Sequence, residues 1–151
     1  MADYLLELAS KLSAEYSARM AETMRFNTEH EIKVKLAPHQ WEELKRELRN
    51  SAENIAKVSP VIIRCEDDGP HKATLVRIEH DQSQELITRA IPLTFYPEVP
   101  VIIYTDVRGR DGRLNFVVVN DDLQWVFNGK HQPFFPEIVH YFIEMVSHRS
   151  F

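Results

Sequence analysis

Seven histidines, His30, His39, His71, His80, His131, His140 and His148, are spread along this chain. Histidine is the side chain best suited to bind a transition metal or shuttle a proton near neutral pH. No two of them stand four residues apart, the helical spacing at which a pair can share one zinc ion, so no metal centre and no cofactor is expected. His80-Asp81 could form an oriented base, and Asp121-Asp122 or Glu66-Asp67-Asp68 could hold a hard cation. Acidic pairs in turn-forming sequence more often bond the turn itself. A small hydrolase or metal-dependent enzyme built on His80, Asp81, Asp121 and Asp122 therefore stands as an alternative that requires those side chains to converge. Cys65, the single cysteine, lies in the apolar run Val61-Ile62-Ile63-Arg64-Cys65, where a buried thiol is inert. The chain has no Gly-x-Ser-x-Gly and no Gly-x-Gly-x-x-Gly, and Gly109-x-x-Gly112 lacks the lysine and the helix that cradle a phosphate. No catalytic residue is assigned.

Binding chemistry is better represented. Arg108, Arg110 and Arg113 fall within one short loop, and Lys130 and His131 reach the same end of a sheet if the last strands run antiparallel. Arginines at a hairpin tip fork onto carboxylates or phosphates, which makes RNA, DNA or anion binding a second alternative. Asp106 and Asp111 oppose that charge, as does a formal net charge of -5. Tyr16, Met20 and Met24 form the other candidate surface, because aromatic and methionine side chains are enriched where proteins meet proteins.

The elements that would position these residues follow from hydrophobic periodicity. Residues 3–25 hold no Pro or Gly, and Leu5, Leu8, Leu12, Tyr16, Met20 and Met24 recur at steps of three or four, predicting a long first helix. Such a helix either lies across a sheet or pairs with a partner subunit, and its stripe favours the core. Residues 31–36 alternate, with Ile32, Val34 and Leu36 against Glu31, Lys33 and Lys35, which predicts a strand. Pro38 then opens a second helix whose buried stripe is Trp41, Leu44, Leu48, Ala52 and Ile55. After Ser59-Pro60 the period falls to two, and strands are expected near residues 61–65, 74–79, 86–95, 101–106, 114–119 and 123–127. Among them Val76, Ile91 and Val117 should be hidden from water, and Pro92 should sit at an edge or where its strand leaves the sheet. Pro136 starts the last helix, with Ile138, Val139, Phe142, Met145 and Val146 as its apolar face. The order is not that of alternating βαβ units, so the fold expected is α+β. It would have a mainly antiparallel sheet of about six or seven strands, two N-terminal helices with a strand between them, and one C-terminal helix.

At 151 residues, with 44% hydrophobic and 27% charged side chains, the chain is expected to be one folded domain, residues 1–151. No run approaches the ~20 apolar residues of a membrane span, and Asp3 and Glu7 stand where a signal peptide would be positive, so a cytoplasmic protein is expected.

The run Ile91-Pro92-Leu93-Thr94-Phe95-Tyr96-Pro97-Glu98-Val99-Pro100-Val101-Ile102 is similar to the strand and Tyr-Pro-x-x-x-Pro-type turn of ubiquitin-conjugating and RWD domains. The likeness covers barely a dozen positions, its second proline comes one residue early, and Cys65 precedes it, so the catalytic-cysteine region of the conjugating enzymes has no counterpart. No residue role is carried over. The function expected is that of a non-enzymatic cytosolic interaction or adaptor module, whose partner is another protein or a second copy. Where the partner is a second copy, residues 1–25 would serve as the dimerisation element.

Overall fold

A computed structural model describes residues 2–59, 61–80, 83–127 and 135–147. It has one long helix, α1 (Ala2–Ala56), six strands and a closing helix. The strands are β1 (Ile62–Asp67), β2 (Lys72–His80), β3 (Leu86–Tyr96), β4 (Val101–Thr105), β5 (Asp111–Val119) and β6 (Asp122–Phe127), and the helix is α2 (Phe135–Ser147). The two N-terminal helices expected from the sequence are one. Residues 31–36, expected as a strand, lie in the middle of α1, and Pro38, expected to open a second helix, is inside it. Six alternating residues do not fix a period, because Ile32 and Leu36 are also one helical turn apart. The stripe they begin runs on through Ala37, Trp41, Leu44, Leu48 and Ala52, all buried at helical steps, and that packing decides for helix. The seventh strand disappears with it.

Inside a helix a proline leaves the carbonyl four residues back, here that of Val34, without its donor and costs about 3 kcal/mol. Pro38→Ala is therefore expected to stabilise the fold by up to about 3 kcal/mol, read as a higher denaturation midpoint. A proline in the first turn of a helix costs nothing there, so an unchanged midpoint would mean that the helix begins at Pro38.

The sheet is a meander in the order β1-β2-β3-β4-β5-β6, every pair antiparallel, curled into a half-barrel. The pairing places Leu75 beside Ile91, Leu93 beside Tyr104, and Phe116 beside Trp125 on the concave face. There they join Trp41, Leu44 and Leu48 of α1 and Ile138, Phe142 and Val146 of α2 in one core cluster. Ile91 is buried as expected, whereas on β2 it is Leu75 that enters this cluster, and Val76 is buried outside it. Val117 is only half-buried. Pro92 pairs with Thr74 of β2 but lies one residue before the β3–β4 pairing begins at Leu93, so its missing N–H falls where β3 has no second neighbour.

Gly112 is set by a close approach. It pairs with Tyr104, and a Cβ added there would overlap the Tyr104 ring. That ring cannot swing away easily: it is 2% exposed and meets Phe142 edge-on at 4.9 Å and Phe127 at 6.0 Å. Gly112→Ala is expected to destabilise the protein by roughly 1–3 kcal/mol through overpacking, measurable by urea denaturation.

Candidate interaction surface

Residues 3–28, the first half of α1, are all exposed, and the helix first gains cover at Glu29 and Ile32. The stripe expected to enter the core does not. Tyr4, Leu5, Leu6, Leu8, Leu12, Tyr16, Met20, Met24 and Phe26 are between 40% and 68% exposed. They make up nine of the sixteen large exposed hydrophobic side chains among the described residues. Scattered apolar residues on a surface are ordinary, but a band of them along one helix marks a contact surface. Hydrogen bonds from Thr23 Oγ1 to the Arg19 carbonyl (3.0 Å) and from Thr28 Oγ1 to the Met24 carbonyl (2.9 Å) are local to the helix. Tyr16, Met20 and Met24 thus lie on one projecting surface. Tyr4, four residues before Leu8, extends the apolar run toward the helix start at a spacing legible in the sequence, whereas Phe26 lies about 160° around the helix from Met24.

The second half of α1 anchors this projection to the sheet. Trp41 is 1% exposed, stacks on Phe95 at 5.8 Å between ring centres, and donates Nε1–H to the Pro70 carbonyl at 2.8 Å. Lys45, 4% exposed, lies 5.5 Å over the Trp41 ring, 3.2 Å from Glu42 and 3.6 Å from Asp67, which also receives Arg49 at 3.5 Å. Both α1 contacts are made with the β1 end and the turn that leads into β2.

A second buried cation closes the far side of the core. Arg77 on β2 is 4% exposed, reaches Glu79 at 2.9 Å and donates to the Ser147 carbonyl at the end of α2. The last turn of α2 carries no basic residue of its own, so Arg77 supplies the positive charge that the carbonyl end of a helix favours. Its Nε has no hydrogen-bond partner. Neither Lys45 nor Arg77 was singled out from the sequence, where a charge inside a strand or helix looks like any solvated one.

The arginine loop is the β4–β5 hairpin tip. The Asp106 carboxylate accepts from the backbone N–H of Arg108 and Arg110, both at 2.9 Å, and Thr105 donates to Asp111 at 2.8 Å. Gly109 takes the left-handed conformation at φ 81° that this turn requires. Both acidic residues are thus spent on shaping the turn, with Arg108 and Arg110 exposed around it, whereas Arg113, expected in the loop, is exposed on β5 opposite Ile103. Lys130 and His131 lie outside the described residues, so the five-residue cluster is represented by its three arginines.

The enzymatic constellation does not assemble. His80 ends β2 at the same sheet end as the arginine tip, whereas Asp121 and Asp122 stand at the opposite end, where β5 turns into β6; Asp81 lies outside the described residues. Among the described residues no cluster of three or more His, Cys, Asp or Glu side chains could hold a metal ion. Burial pushes the Cys65 thiol above its ordinary pKa, with Arg49 opposing more weakly, so the thiol form persists. Among the described residues no helix is long and apolar enough to cross a membrane. Set against protein families, curated proteins and solved structures, the chain matches none.

Proposed function

We propose that this chain is a non-enzymatic protein-interaction module of the cytoplasm that docks through the projecting half of α1. The observation that supports the reading is that every residue from 3 to 28 is exposed, together with the concentration there of large apolar side chains. The rest of the chain holds that helix by its base, at Trp41 and Lys45, and leaves its length for a partner. The arginine tip supports the anion-binding alternative less well, since its two carboxylates and the net charge of -5 both oppose a phosphate backbone.

A nitroxide on Tyr16→Cys, in a Cys65→Ala background, reads docking directly. The label is expected to tumble freely in dilute pure protein and to become immobilised in a cell extract or in concentrated protein. Leu8→Glu with Met20→Glu, two exposed positions, should restore free tumbling while leaving the circular dichroism of the fold intact. A label equally free under all conditions would remove this reading.

A further inference from the structure

The projecting helix carries a pattern that selects its occupant. Along the exposed stretch Leu5, Ala9, Leu12, Tyr16, Arg19 and Thr23 stand at alternating steps of four and three, apolar as far as Tyr16 and polar at Arg19 and Thr23, with Met20 and Met24 to one side. That is the heptad spacing by which two helices pack side by side. Leu8 and Met20 flank this seam on opposite sides. From this spacing, and resting on the docking role proposed above, we infer that the occupant is a second copy of the same helix, antiparallel, with its two-fold axis close to Ala14.

Three features fix that arrangement. In the antiparallel register centred there, Leu12 faces Tyr16 of the other copy, Leu5 faces Thr23, and Ala9 faces Arg19, so each small side chain receives a large one. A parallel pairing in register would instead place Arg19 against Arg19 and Ala9 against Ala9, combining like-charge repulsion with a gap. The antiparallel register separates the two Arg19 side chains by ten residues, about 15 Å along the axis. Each can then lie over an Ala9 while keeping its own Glu15 at 4.0 Å.

The free length agrees as well. A centre near Ala14 sets Asp3 level with Arg25, so the overlap uses nearly the whole exposed stretch of residues 3–28 and stops where the helix meets its own domain. At that boundary Phe26, His30 and Lys33 line a cavity of about 270 Å³ with Val99 and Pro100. Two helices paired over about six turns bury on the order of 600 Å² per partner, the lower end of what a specific dimer requires. One flank carries Lys11, Glu15 and Glu22 and the other Ser13 and Ser17. An antiparallel two-fold brings like flank to like flank, setting Lys11 within a turn of the other copy's Glu15.

The test uses the full chain in the Cys65→Ala background, as separate Leu5→Cys and Thr23→Cys proteins. Mixed together and treated with a short bis-maleimide, they are expected to give a 5–23 linked dimer, while each alone gives none. Self-linking of Leu5→Cys would establish a parallel pair and overturn the inference. Sedimentation of the unaltered chain should show a concentration-dependent dimer, and Leu12→Glu, at an exposed position that leaves the fold intact, should raise its dissociation constant at least about 100-fold. A monomer at 100-fold dilution steps up to about millimolar, an affinity of only 4.1 kcal/mol, also overturns it. If the Tyr16 label is nonetheless immobilised in extract, the docking reading stands and only the second copy falls.

Discussion

Trp41→Ala is expected to destabilise the fold by about 3–5 kcal/mol, a large share of the roughly 5–15 kcal/mol that holds a domain folded. Three interactions go at once. The indole fills a site where it is 1% exposed, its Nε1–H satisfies the Pro70 carbonyl in the β1–β2 turn, and its face supports both Phe95 and the Lys45 ammonium. Trp41→Phe separates them. It keeps an aromatic ring against Phe95 but leaves the Pro70 carbonyl without its donor, a loss of roughly 1–3 kcal/mol. Urea denaturation of both variants measures the ordering, and an alanine variant no weaker than the phenylalanine one would show that the ring's packing is not what holds α1 to the sheet.

Arg77→Met is expected to cost about 3–5 kcal/mol, although methionine is apolar and close in volume. The reason is what the guanidinium leaves behind. Glu79 would keep a carboxylate at 14% exposure with its partner gone, and the Ser147 carbonyl would lose its donor at the end of α2. Removing both charges, as Arg77→Met with Glu79→Gln, is expected to recover part of the loss, because the uncompensated charge is then absent. A double variant as weak as the single one would place the cost in the α2 carbonyl alone.

The meander was legible because period two has few competitors once Pro60 ends the helical pattern. Each of the six strands lies where alternation and turn residues put it, with Asp67-Asp68-Gly69-Pro70 and the Gly109 loop as turns between them. The first third was not legible in the same way. Residues 31–36 satisfy a two-residue and a four-residue step at once, and only the contact of Ile32 and Leu36 with the rest of the core tells them apart. Pro38 misled because its rule is positional: proline is at home in a first turn and tolerated in an interior only where packing over-determines the helix. Among the candidate residues, Tyr16, Met20 and Met24 were visible by type and spacing. Their exposure was not, since an amphipathic stripe reads the same whether its cover comes from its own chain or another. The buried roles of Lys45 and Arg77 escaped because each depends on a partner remote in the chain, Asp67 and Ser147 respectively.

Because each strand of the half-barrel pairs only with its neighbours in sequence, the sheet can assemble hairpin by hairpin with little loop-closure entropy at any step. The event expected late is then the join between Arg77 and Ser147, seventy residues apart, which would bring α2 onto strands already formed. Substitutions at that join are expected to accelerate unfolding while leaving the refolding rate nearly unchanged, whereas those in the β2–β3 ladder should slow refolding.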